Sequence, residues 1–368
     1  MPRIAPDTFT NYVERSGPLT LRVSSWLGGT RLPLDGRDRI PVVAQSWEIS
    51  DAADAKTSGE ITFEVPNTPA FWPTTDDHPL AANGQRLWAQ VGYGSERVSA
   101  GWFRILDEPE DNGPTLRVSA KGLSHEIARA RFLRPYQSPA GATRLGELRK
   151  LVAPIPVVLD AGLSDKALPI YTQDEDRTQA IVDITDTWPA RWYIGDDAAL
   201  HVGPVWDDAN PGAPTFTLTG GPGGGLVKLT PRQLNPDPFN GYRVSNVPEG
   251  DVAEVVGTWV VPSGPLRWSE ASGMPGPYGQ KPGFYASSLL PADEATLVNV
   301  ARNMTERGLR RKWAAQGVAR PDPRLVIGDV GMAASDRVGI ASLVRLTGYR
   351  LTPRDMAVDV ALLGEVAA

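Results

Sequence analysis

The sequence predicts a mainly β protein with a small α/β insert, an α+β chain overall. Three observations carry this. Apolar and polar residues alternate with period two through most of the first 135 residues, the period lengthens from about 140, and the alternation resumes after about 213. At 368 residues the chain is too long for one ordinary core and divides into units at 1–135, 136–212 and 213–368.

In the first unit, Leu19 to Trp26, Ile61 to Val65, Arg86 to Val91 and Leu116 to Ala120 read as half-buried strands. Gly28-Gly29, Leu34-Asp-Gly36, Gly92-Tyr-Gly94 and Asp111-Asn-Gly-Pro114 separate them as turns. The Asn112-Gly113 pair predicts a hairpin-like reversal between Trp102–Leu106 and the 116–120 strand. Gly122 to Ala130 reads as a short closing helix.

In the second unit, Thr143 caps a helix with Leu145, Leu148, Leu151 and Val152 on one side, and Pro154 and Pro156 end it before the strand Val157–Leu159. Asp176 with Gln179 forms an acidic capping box for a second helix carrying Ala180, Ile181 and Ile184, which Trp188-Pro189 stops. Arg191–Ile194 and Ala199–Val202 read as a hairpin across Gly195-Asp-Asp197.

The third unit resumes with Thr215–Leu218, Gly241–Val244 and Val252 to Val261. A long loop and helix, 262–318, interrupt it. Residues 262–290 are rich in Gly, Pro and Ser and read as a loop; one this long is usually functional or ordered by a partner. The helix, from Pro291 to about Ala315, aligns Leu297, Val300, Ala301, Met304 and Gly308, with Asp293 and Glu294 in its first turn and Arg307, Arg310, Arg311 and Lys312 near its last. Strands at Leu325–Ile327, Ile340–Leu351 and Met356–Leu362 close the chain, the first ended by Gly328-Asp329.

Chemical signatures are sparse. There are no cysteines, which excludes disulfides, thiolate metal sites and a Cys nucleophile. The three histidines, His78, His125 and His201, are not spaced as metal ligands. Gly220 to Gly225 lacks the Gly-Lys-Ser/Thr of a phosphate loop and reads as a hinge or turn. The acidic runs Asp107–Asp111 and Asp174–Asp176 lack calcium-loop spacing and read as solvated turn and cap residues. No nucleophile elbow or Ser/His/Asp order stands out. We therefore expect no catalytic residue, cofactor or metal, and alanine at Glu110, Asp174 or His125 should leave function near wild type.

A formal net charge of −6 argues against a general phosphate-binding surface. No apolar run approaches a membrane span, and the N-terminus lacks a signal peptide's apolar core, so a soluble protein folding where it is made is expected, with no membrane insertion. The 11 tryptophans are many for this length. For any one of them a satellite core and an interface anchor are equally good readings; the set favours an interface-rich protein. Candidate interface residues are Trp72, Trp268, Tyr278, Phe284 and Tyr285.

Gly101-Trp-Phe-Arg-Ile105 followed by Leu116-Arg-Val-Ser-Ala-Lys-Gly-Leu-Ser124 resembles the run that ends the first barrel of phage minor tail proteins. Arg129-Ala-Arg-Phe132 is similar to the segment leading into their α/β insert, and 291–330 to their long helix and proline-bounded strand. In organisation, nearly the whole chain resembles the tail-hub or baseplate-hub family of tailed phages and related injection machines, with most likeness to actinobacteriophage-type minor tail proteins. The resemblance implies two tube-like β-barrel domains per chain, so that three copies present six and match a hexameric tail tube. It implies a homotrimeric ring in the virion tail tip, assembled in the host cytoplasm, that joins the tail tube or distal tail protein to a central tip or fibre protein. DNA would pass through the lumen without specific binding, as an acidic wall favours. The sequence shows neither an appended lysozyme or peptidase domain nor a fibre-like extension, so a plain adaptor is expected. The α/β insert should lie outside the ring, and loop 262–290 should be ordered by another copy or a neighbouring tail protein. The rivals are a tail-associated peptidoglycan- or glycan-degrading enzyme and a receptor-binding tip module.

Overall fold

The computed structural model describes residues 17–53, 59–173, 175–188, 190–208, 210–221, 224–233, 237–247, 254–268, 278–287, 290, 293–310 and 313–365. Asp174, Pro189, Pro222-Gly223, Pro291, Arg311 and Lys312, and the side chains of Arg307 and Arg310, lie outside the described residues.

Alternation builds the first unit. Its strands are β1 (Thr20–Leu27), β2 (Thr30–Leu32), β3 (Trp47–Ala52), β4 (Glu60–Pro66), β5 (Arg86–Tyr93), β6 (Glu96–Ile105), β7 (Glu110–Asn112) and β8 (Thr115–Gly122). In β4, Ile61, Phe63 and Val65 face inward, and in β8 Leu116, Val118 and Ala120 do the same. Asn112-Gly113 does make a reversal: Gly113 adopts φ 74°, its N–H donates to Asp111 Oδ1, and Asn112 pairs with Thr115. The strand it turns back from, however, is the short β7; β6 joins β8 only at its far end, Phe103 opposite Gly122.

The second unit contains α1 (Leu123–Arg129), β9 (Tyr136–Gln137), α2 (Arg144–Val152), β10 (Val157–Leu159), β11 (Thr172–Gln173), α3 (Arg177–Asp186), β12 (Ala190–Ile194) and β13 (Leu200–Pro204). The predicted caps are present. Thr143 accepts the Gly146 N–H at 3.1 Å, and Asp176 Oδ1 accepts those of Thr178 and Gln179 at 2.9 and 3.1 Å. The Gln179 side chain donates onward to Asp183. β13 pairs antiparallel with β12, as the hairpin requires, and parallel with β10. Leu148, Ile181, Ile184, Trp188 and Leu200 form the core, which also takes Leu123 and Ile127 of α1. The closing helix of the first unit therefore belongs, by packing, to the second.

The remaining elements are β14 (Phe216–Thr219), β15 (Leu226–Gln233), β16 (Gly241–Asn246), β17 (Val256–Val260), β18 (Pro282–Ser287), α4 (Glu294–Arg310), β19 (Trp313–Ala319), β20 (Val330–Ser335), β21 (Ile340–Leu351) and β22 (Met356–Glu365). Four expectations are corrected here. First, β16 and β17 do not join the second β unit; with β18 they form a separate three-stranded sheet under α4. Val244, Leu290, Leu297, Val300 and Ala301 make its core, with Tyr242, Trp259 and Met304 around it, whereas a Cβ added at Gly308 would meet nothing within 4 Å. Second, the 262–290 loop contains a strand, because the alternate residues Gly283 and Tyr285 turn inward beside β16. Third, the helix ends at Arg310: Ala314 and Ala315, good helix formers, are held in β19 between β15 and β22. Fourth, Leu325–Ile327 is not a strand. Pro321 and Pro323 cannot donate to a ladder, and Asp329 Oδ2 instead accepts the Val326 N–H at 2.9 Å within a loop.

The two β units are continuous. Residues Gly348–Leu351 of β21 pair with Ile49–Ala52 of β3, giving a 14-stranded sheet that runs from β15 to β2, with one apolar cluster spanning both halves. Among the described residues its ladder is open, with β15 and β2 at the ends.

Candidate assembly surface

Among the described residues, exposed large apolar side chains include Val227 at a sheet end and Phe284 on the small sheet, with others, such as Leu133 and Ile170, in the second unit. On β15, the terminal strand, Val227 is 77 % exposed beside a bulge at Leu226/Lys228. Such an edge offers unpaired backbone groups to a neighbour. On the small sheet, α4 covers one face; Phe284, Arg243 and Thr258, directly opposite one another, lie on the other. Phe284 is 71 % exposed.

The five candidate interface aromatics thus separate. Phe284 and Trp72 reach solvent, Trp72 fixed by its indole N–H to Asn67 Oδ1 at 2.9 Å. The other three make contacts inside the chain. Trp268 packs over Gly241, where a Cβ would come within 3.1 Å of its ring. Tyr278 donates its hydroxyl to the Pro238 carbonyl at 2.7 Å and lies under Lys281, which also pairs with Asp237. Tyr285 packs against the core beneath α4; burial, then the charges of Asp183 and Asp186 on α3, push its hydroxyl up to about 12. Sequence reasoning missed a further group, Trp26, Trp88 and Trp102. Trp88 and Trp102 are cross-strand partners stacked at 6.2 Å, and Trp26 meets Trp102 edge-on at 5.9 Å. Trp102 also packs on the core of the second unit, so this cluster joins the two. Their shared outward phase on β1, β5 and β6 was the available signal.

His201, His78 and the acidic turn are tied into hydrogen bonds within the chain. His201 lies across the ladder from Tyr193, which stacks on it at 5.1 Å. Its Nδ1 is 2.9 Å from Asp160, which also accepts the Tyr193 hydroxyl, and its Nε2 is 3.2 Å from Asp197. Burial would lower the imidazole pKa, but the two carboxylates outweigh it and the net shift is upward. With both nitrogens held by carboxylates, neither is left to take a proton from a substrate. His125 on α1 is shifted down by burial and by Lys121. His78 accepts the Leu80 N–H and contacts the Ala70 carbonyl, fixing a loop. The acidic turn borders a cleft of about 300 Å³ that includes Glu48, Glu64, Glu110, Asp111 and Arg117. There Glu64 accepts from Asn112 and Thr115, an arrangement that holds the hairpin. No group of three or more metal-ligating side chains occurs among the described residues.

The architecture has close counterparts among solved structures. The fold is that of phage tail proteins. A tail protein from Neisseria meningitidis MC58 superposes with a TM-score of 0.64 at 14 % identity, covering 93 % of this chain and 96 % of that one. The 43 kDa tail protein of prophage MuSo2 from Shewanella oneidensis gives 0.60 at 11 %, covering 93 % and 98 %. Prophage tail protein gp18 from Listeria monocytogenes EGD-e gives 0.52 at 11 %, covering 93 % and 94 %. No protein-family model matches the chain, and no curated protein does. No helix is long and apolar enough to cross a membrane among the described residues.

Proposed function

We propose that the chain is a structural tail-hub subunit that forms a homotrimeric ring joining the tail tube or distal tail protein to the central tip or fibre protein. The observation that carries this is agreement of fold with a tail protein over 93 % of this chain and 96 % of that one. A local motif shared by chance would not extend so far. Fold alone does not assign a role, so the reading also rests on the site chemistry, in which His78, His201, Asp160, Asp197 and Glu64 are tied into hydrogen bonds within the chain. The finer likeness to actinobacteriophage-type proteins rests on the sequence resemblance.

In this reading the halves 1–135 and 213–368 of the continuous sheet are the two tube-like units, the second interrupted between β15 and β19. Edge strand β15 and the exposed Phe284 and Trp72 lie in contacts with other copies or neighbouring tail proteins. The insert 136–212 lies outside the ring. The protein belongs to the virion tail tip or baseplate and is assembled in the host cytoplasm, and DNA passes its lumen without specific binding. Removing its coding sequence from the phage genome tests the role: filled heads without complete tails support it, and intact infectious tails refute it.

A further inference from the structure

The chain carries a formal net charge of −6, yet one face of the first unit concentrates arginine. The ladders put it there. Arg22 lies opposite Gln90, which lies opposite Ser99; Thr20 lies opposite Gly92, which lies opposite Arg97. Arg22 and Arg97 therefore share a face, one pleat apart along the strands. Ile40 bridges Val23, which brings Arg39 alongside. Next to them an open cleft of about 410 Å³ is lined by Arg31, Arg37, Asp38, Arg39, Ile40 and Pro41. Arg31 is held over Trp26, 5.8 Å from the ring.

Among the described residues of these segments, the five arginines Arg22, Arg31, Arg37, Arg39 and Arg97 have three carboxylates as close sequence neighbours, Asp35, Asp38 and Glu96. Asp38 compensates weakly, 77 % exposed and 3.7 Å from Arg31. The Nε groups of Arg31 and Arg97 are buried with no acceptor among the described residues, while Arg97 Nη1 donates to the Glu96 carbonyl. Burial, then the charges of Arg22 and Arg39, pull Arg97 down to about 10. Crowded cations with unmatched donors oppose folding. An anion with several oxygens relieves both terms, because guanidinium forks fit paired oxygens.

We propose that this arginine face and its adjoining cleft form a binding site for an oxyanion of the phosphate class. Calorimetric titration of the full chain with pyrophosphate tests it, at fixed ionic strength because screening alone changes such a surface. One site per chain is expected, not reproduced by chloride, and weakened roughly tenfold or more by Arg39→Gln or by Arg97→Gln. Thermal unfolding gives an independent readout: without pyrophosphate, Arg39→Gln should unfold no lower than the parent, since the exposed Arg39 leaves no partner behind among the described residues. Absent binding, or binding indifferent to both substitutions, overturns the site. A lower unfolding temperature for Arg39→Gln overturns it too, by making that arginine a structural prop. Tighter binding of duplex DNA at equal phosphate concentration replaces the small-anion assignment with a nucleic-acid surface.

Discussion

At the residue scale, titratable side chains such as His201, His78 and Glu64 fix turns and joints. His201 shows this most clearly, since Asp160 and Asp197 together outweigh the burial that would otherwise discharge it. Its raised pKa sets the sign of a pH effect. The folded state binds the proton more tightly than the unfolded chain, so the contribution is full below the ordinary histidine range and fades as pH rises through the folded value. The parent should therefore lose thermal stability between about pH 6 and 8 relative to His201→Gln, which lacks this titration. Parallel melting curves across that range check the direction, and a parent that gains stability over it contradicts the assignment. The caps at Thr143 and Asp176 were legible because capping is a short-range pattern. The arginine face was not, because Arg22, Arg39 and Arg97 come together only through strand pairing.

At the element scale, period and caps located most strands and helices, and the misses have a common cause. Ala314 and Ala315 are strand because two neighbouring strands claim them, and β18 forms in a Gly- and Pro-rich segment because β16 supplies a partner. Tertiary pairing overrides local propensity in both cases. α4 is the main cover of its small sheet, with Leu297 fully buried at the centre. Leu297→Ala should cost about 2–5 kcal/mol locally. Hydrogen exchange should accelerate in β16–β18 and α4 while the 14-stranded sheet keeps its protection. Equal acceleration everywhere would mean that the small unit does not open independently. Phe284, on the uncovered face of the same sheet, should behave differently. Phe284→Lys should leave the subunit's melting temperature within a degree or two, since surface changes are small. It should weaken assembly by about 1.5–3 kcal/mol, the worth of one buried apolar side chain. Sedimentation of the variant against the parent separates these effects.

At the scale of the whole molecule, the order of β strands, α/β elements and returning strands was readable from one sequence. The join between halves was not readable. β3 and β21 lie at opposite ends of the chain, and nothing local in Ile49–Ala52 names Gly348–Leu351 as its partner. That join makes the two halves one continuous sheet with β15 and β2 at the ends of its ladder. The measurement that tests the hub account most directly is the stoichiometry and symmetry of the purified protein, by native mass spectrometry and electron-microscopic class averages. The account predicts a particle of three 39.6 kDa chains with an open lumen and threefold symmetry. A chain that stays monomeric at assembly concentrations and in the presence of its tail-tube partner, or a closed ring of any other number, would contradict it.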